Sequence, residues 1–252
     1  MLDQQTVARL REMRLDGMAE AFLAQAQEPD VQGLSFEERF GLLVDREWSS
    51  RQDRRLARLL KAARLRLPAC MEDIDYQAPR GLDRAVMRNL ATGNWIRAHQ
   101  GVIIVGPTGV GKTFLACALA NAACRQGFST RYYRVPRLLS ELAIARADGS
   151  YPSLMNKLAK TEVLVLDDWG ITPLGAQESR DMLEVIDDRA GTRSTIVVSQ
   201  IPIEHWHAGI SDPTVADAIL DRLVHSSHKI GMKGESMRRV KNNTREADHH
   251  DS

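Results

Sequence analysis

The sequence predicts an α/β fold, a parallel sheet covered by helices on both faces, preceded by a small all-helical region. Three observations predict it. From residue 80 onward short apolar, β-branched runs alternate with helical patterns, the signature of a parallel sheet. One run, VIIV (102–105), is followed at once by the glycine-rich octet GPTGVGKT (106–113) and then by a helical pattern. Before residue 75 there is no such alternation, only helix-period apolar spacing.

Residues 5–27 carry Val7, Leu10, Leu15, Met18, Ala19 and Phe22 at helical spacing, ending at Glu28-Pro29-Asp30 and Gly33. Ser35 with Glu38 three residues later has the form of a capping box, opening a helix from Phe36 to about Leu67. The regime changes between Pro68 and Pro79, which predicts a helical domain over 1–75 and a sheet domain over 76–242. Beyond 102–105 the expected strands are 130–135, 162–168 and 194–200, with a short last one at 229–233. The expected helices are 113–125, 136–147, 176–190 and 214–225. The polar tail 243–252 is expected to be disordered.

The octet fits G-x-x-x-x-G-K-[ST] at Gly106, Gly111, Lys112 and Thr113. Backbone N–H groups of Gly106, Pro107, Thr108, Gly109, Val110 and Gly111 (all but the proline), with the following helix start at Lys112, Thr113 and Phe114, would surround nucleotide phosphates. Lys112 would supply a point charge and the Thr113 hydroxyl a Mg²⁺ ligand, so the implied ligands are ATP and Mg²⁺. The run VLVLDD (163–168) ends in two carboxylates: Asp167 is the candidate for holding Mg²⁺ and Asp168 for orienting or deprotonating the attacking water. Asp168 is one methylene shorter than the glutamate common in that place, which leaves open a module that binds ATP without turning it over. Ser199 and Gln200 end a strand expected between the first and third, where either could sense the γ-phosphate, Gln200 ahead of Ser199. Arg222, in Asp221-Arg222-Leu223, either reaches a neighbouring subunit's γ-phosphate or makes a surface salt bridge.

The whole chain of 252 residues has a formal net charge of only +1, no global sign of a nucleic-acid partner. Locally the balance differs: Arg46 to Arg66 holds eight basic residues against Glu47 and Asp53. Arg51, Arg54, Arg55 and Arg58 follow i, i+3, i+4, i+7 spacing, and Lys61 continues the run. This face is the candidate for nonspecific contact with a DNA backbone; no helix-turn-helix or zinc pattern accompanies it. A smaller basic group comprises Lys229, Lys233, Arg238, Arg239 and Lys241. Cys70, Cys117 and Cys124 have no metal-binding spacing, and His205, His207, His225 and His228 give no recognised ligand set. Trp169 and Trp206 read as packing residues. No apolar stretch reaches membrane-span length, and the N-terminus lacks a secretion signal, so a soluble cytoplasmic protein is expected.

Taken together, LREMRLDGMAEAF (10–22), LSFEERFGLLVDREWSSRQDRRLARLLKAARLR (34–66), GPTGVGKTFLACALA, VLVLDDWG and DRLVHSSHKIGMKGESMR (221–238) resemble the IstB family. These are ATP-binding helpers of insertion-sequence transposition, related to the DnaC helicase loaders within the AAA+ ATPases. The resemblance implies an AAA+ core, with Lys112, Thr113 and Asp167 at the ATP and Mg²⁺ positions and Asp168 as second acid. It places Gln200 at or beside the sensor position and makes Arg222 the arginine that reaches the adjacent subunit's nucleotide. Arg238 falls where other AAA+ proteins carry a further sensor. It further implies ATP-driven rings or spirals on duplex DNA, delivery of bent DNA to a partner transposase, and hydrolysis promoted by that transposase. A DnaC-like replicative helicase loader is the alternative, with single-stranded DNA and a helicase as partners. A small-molecule kinase is more remote, because no lid or acceptor motif is recognisable.

Overall fold

The computed structural model describes residues 2–28, 31 and 33–237, so Pro29, Asp30, Arg238, Arg239, Lys241 and the tail from Asn242 lie outside the described residues. Two compact units are present, Met1–Arg58 and Leu59–Ser252.

In the first unit the expected helical run over 5–27 is two helices, α1 (Leu2–Glu12) and α2 (Asp16–Gln25). Arg14 takes φ 58°, and Leu15 N donates to Leu10 O at 2.8 Å. A left-handed residue with such a backward bond is a helix stop, which the side-chain periodicity alone conceals. The stop folds α1 onto α2 around Val7, Leu10 and Ala19, with Leu15, Met18 and Phe22 against them. Helix α3 (Phe36–Ala63) opens with the expected capping box: Ser35 N donates to Glu38 Oε2 (2.8 Å) and Glu38 N to Ser35 Oγ (3.2 Å). The Ser35 backbone N–H and hydroxyl favour the charged form and hold the Glu38 carboxyl below its ordinary pKa.

Helices α2 and α3 meet at Gly17, where an added Cβ would lie 2.8 Å from Ser50 Cβ and 3.0 Å from Arg46 O. Beside this approach, buried Glu47 accepts from Met18 N (3.1 Å) at the positive end of α2 and from Arg51 Nε (2.6 Å). Arg54 contacts the same carboxylate (3.4 Å) and Asp16 (3.1 Å). Burial pushes the Glu47 pKa up, but these donors outweigh it and leave it below the ordinary value.

Helix α3 ends at Ala63, followed by Arg64 at φ 51°. Residues 59–75 group with the second unit rather than with the helical region expected over 1–75. The reason is packing: Ala69 and Ile74 are core residues of the sheet unit, and Met71 and Tyr76 lie against them. Two helices not expected from the sequence follow, α4 (Arg84–Ala91) and α5 (Asn94–Arg97), burying Met87, Leu90, Trp95 and Ile96 in the same core.

The sheet unit then alternates β1 (Gly101–Val105), α6 (Lys112–Arg125), β2 (Thr130–Arg134), α7 (Val135–Asp148), α8 (Tyr151–Lys160), β3 (Val163–Trp169), α9 (Ala176–Asp187), β4 (Ser194–Ser199), α10 (Pro213–Val224) and β5 (Ser227–Gly231). All strands are parallel, in the order β2-β3-β4-β1-β5, so β4 lies between β3 and β1 as expected. Alternate strand residues feed two cores: Val102, Ile104, Val163, Val165, Ile196 and Val198 face α6, while Ile103, Leu164, Leu166 and Val197 face α7 to α10. Helix α8 was not anticipated, although Tyr151, Leu154, Met155 and Leu158 have helical spacing. Trp169 and Trp206 pack with ring centroids 5.6 Å apart, and Trp206 Nε1 donates to Ile201 O, so both tryptophans serve the core.

Candidate nucleotide-binding site

The carboxyl ends of β1, β3 and β4 converge, as the register Val105 to Ser199 and Trp169 to Ser199 requires. A cavity of about 520 Å³ opens there, within the range of ordinary ligand pockets. The loop between β1 and α6 forms its floor. Val110 is fully buried and pins the loop to the core, and Arg80 Nη1 donates to its carbonyl at 3.1 Å. Two glycines are required sterically: a Cβ at Gly106 (φ 154°) would lie 2.5 Å from Met232 O, and one at Gly111 (φ 99°) would lie 2.8 Å from Arg80 Nη1.

Lys112 opens α6, and its ammonium donates to Gly106 O and Pro107 O, both at 2.7 Å. Burial lowers its pKa, an effect opposed by Asp167 and Asp168. Thr113 Oγ1 donates to Asp167 Oδ2 at 2.9 Å, so the two expected metal ligands lie side by side. A hydroxyl and a carboxylate are hard oxygen donors suited to Mg²⁺, which completes its shell with waters and phosphate oxygens. Among the described residues no group of three His, Cys, Asp or Glu could hold a metal by itself.

The Asp167 side chain is almost fully buried and correspondingly well supplied with donors. Oδ2 also accepts from Tyr132 OH at 2.5 Å, and Oδ1 accepts from Asp168 N at 2.8 Å. Burial and the bond to Asp167 push the Tyr132 phenol far above its ordinary pKa, keeping it a donor. Asp168 takes φ 63° where the β3 ladder shifts register between Leu166 and Trp169. Aspartate tolerates that conformation better than most residues. Its carboxylate pairs with Arg134 Nε, from the end of β2.

Gln200 lines the cavity and accepts from the Thr108 hydroxyl. Ser199 lines the same cavity, where its hydroxyl donates to Trp169 O (2.8 Å) and accepts from Ile201 N (3.0 Å), joining strand ends. Thus Lys112, Thr113, Asp167, Asp168 and Gln200 surround one cavity, and Arg222 does not line it. Near the C-terminal end of α10, Arg222 instead bonds Asp187 Oδ1 (2.5 Å) and Ala218 O (3.0 Å).

On α3 the expected basic face is divided by its partners. Arg51 and Arg54, each about half exposed, are engaged by Glu47, Asp16 and the Arg14 carbonyl, and Arg55, Arg58 and Lys61 are exposed as well. Sequence reasoning missed Tyr132, Arg134 and Arg66 as site residues. The signal for the first two was the alternation in TRYYR, which puts residues 132 and 134 beside the acids once β2 neighbours β3. Arg66 was counted only as part of a basic run. Among the described residues no helix is long and apolar enough to cross a membrane.

Comparison with known proteins agrees with this geometry. The family described as IstB-like ATP binding protein matches residues 8–246. An insertion sequence ATP-binding protein of Sinorhizobium fredii is 51% identical over 239 residues, covering 95% of this chain and 98% of the relative. The ATP-binding protein of insertion sequence IS1162 from Pseudomonas fluorescens is 50% identical over 214 residues, covering 84% and 93%. Among solved structures, DnaI superposes with TM-score 0.57 at 20% identity, covering 70% of this chain and 93% of that one. The DnaC helicase loader does so with TM-score 0.55 at 19% identity, covering 66% and 97%. At these identities the likeness is one of fold, a parallel sheet flanked by helices with a phosphate loop at the strand ends.

Proposed function

The chain belongs to the IstB-like ATP-binding protein family, and we propose that it is an ATPase that assembles on duplex DNA and presents that DNA to a partner transposase. The observation carrying this reading is the cluster of Lys112, Thr113, Asp167 and Asp168 around one cavity at the strand ends. The names of the two relatives above, both ATP-binding proteins of insertion sequences, support the transposition setting.

Each residue has a chemical task in this reading. The loop N–H groups and Lys112 would hold the β- and γ-phosphates, and Thr113 and Asp167 would hold Mg²⁺, which when bound would supply positive charge against the phosphate oxygens. Asp168 accepts the proton of the attacking water, and Gln200 with Thr108 orients that water. Because Arg134 pairs with the Asp168 carboxylate, turnover is slow until DNA or a partner shifts that pair. Arg222 exchanges its exposed partner Asp187 for the γ-phosphate of a neighbouring subunit, so nucleotide bridges two protomers and stabilises the oligomer by linkage. In a ring or spiral the exposed Arg55, Arg58 and Lys61 of successive protomers each add a weak phosphate contact, and avidity makes the total strong.

Mixing two inactive variants tests the shared site. Lys112→Ala keeps Arg222 but loses its own nucleotide, and Arg222→Ala keeps nucleotide but lacks the arginine to offer. Phosphate release with DNA present should be near zero for each alone and should reappear in the mixture. An Arg222→Ala protein as active as wild type would refute the role in trans.

A further inference from the structure

Arg66 follows the last residue of α3 by three positions and enters the nucleotide cavity. Its Nη1 lies 3.9 Å from Asp167 Oδ2, the oxygen that also takes the Thr113 and Tyr132 hydroxyls. The burial of these groups differs. Asp167 and Tyr132 are buried, whereas the Arg66 side chain is 41% exposed. Its backbone is held: the Cys117 thiol lies against the main chain of Arg66 and Leu67, and Arg131 Nη1 donates to Ala62 O (3.1 Å) in the last turn of α3. The arginine therefore pivots from a fixed base tied to the end of the helix.

We propose that Arg66 is a positioning residue whose guanidinium competes with Mg²⁺ for the Asp167 carboxylate, so that metal-bound nucleotide displaces it toward the phosphates. A divalent ion between Thr113 and Asp167 would stand within a few ångströms of a monovalent cation on the same oxygen, and like charges so close repel. Phosphate oxygens in the same cavity are the alternative acceptors, and a guanidinium binds them bidentately. The inference rests on the reading of this cavity as a Mg·ATP site.

Equilibrium binding of a fluorescent ATP analogue, in Mg²⁺ and in EDTA, tests this on wild type, Arg66→Ala and Arg66→Lys. Without the competing arginine Asp167 is freer for Mg²⁺, while metal-free ATP, whose binding leaves Arg66 on Asp167, is little affected. The ratio of affinity with metal to affinity without should therefore rise by about tenfold in Arg66→Ala. Arg66→Lys, which keeps the charge but not the fork, should fall between. Thermal melting of each variant shows whether the fold is intact. An unchanged ratio in Arg66→Ala, whether both affinities fall together or neither moves, would overturn the role of Arg66 alone. Wild-type protein that binds the analogue in neither condition would overturn the nucleotide-site reading and this inference with it.

Discussion

The two units of this chain are built by different means. The sheet unit is held by two apolar cores, one on each face of a buried parallel sheet, and gathers Lys112, Asp167 and Asp168 around a cavity at the strand ends. The helical unit has a small apolar cluster around Val7, Leu10 and Ala19, and relies on one buried carboxylate, Glu47, shared by a helix N-terminus and two arginines. In the sheet unit charge is available for function because apolar packing makes the fold. In the helical unit part of the charge is consumed in making the fold.

This contrast can be broken by mutation. The largest effect should come from Lys112→Ala, which removes a half-buried ammonium from the phosphate loop. Nucleotide affinity measured by titration calorimetry should fall by about a hundredfold while the helical unit keeps its hydrogen-exchange protection. Next, Gly17→Val forces a branched side chain into a contact already at van der Waals limits. It should destabilise the helical unit by about 1–3 kcal/mol in chemical denaturation, leaving nucleotide binding intact. If Gly17→Val abolished ATP binding, the two units would not be energetically separate.

A subtler effect follows from Glu47. Its folded-state pKa is below the ordinary 4.5, so its ionised form contributes stability above pH 4.5, and that contribution is lost as pH falls through the lowered value. Circular dichroism of wild type should show helix loss in that acid window, and Glu47→Gln should lose about 1–2 kcal/mol at neutral pH and lack that step. A Glu47→Gln protein with the wild-type acid profile would show that the carboxylate is not what holds α2 to α3. The smallest effect separates the basic residues. Arg58→Ala should lower the salt dependence of DNA binding by about one unit of slope without changing stability. Arg51→Ala should mainly reduce stability of the helical unit. The opposite pattern would reverse the division of the basic face.

The contrast also explains what could be read from the sequence. The strands themselves, the phosphate loop and the paired acids were legible because each depends on local pattern: an apolar run, fixed glycines, a carboxylate at a strand end. The break at Arg14 was not, because Leu10 and Leu15 stay in helical phase across a left-handed turn. Helix α8 was passed over between two stronger strand signals, and α4 and α5 lay in a stretch read as a boundary. Tyr132, Arg134 and Arg66 reach the acids only through strand order and the path of the chain after α3, which no local pattern encodes. On α3, i, i+3, i+4 spacing gave the same signal for arginines that face solvent and for arginines that pair with Glu47 and Asp16.

The central claim is that nucleotide in the sheet unit controls assembly on DNA. Sedimentation of the protein with a labelled DNA duplex, in Mg·ATP, in Mg·ADP and without nucleotide, tests it most directly. The account predicts a large protein–DNA assembly with Mg·ATP alone, absent for Lys112→Ala and sharply reduced for Arg222→Ala. A protein that binds Mg·ATP yet sediments as a monomer beside free duplex in all three conditions would contradict it.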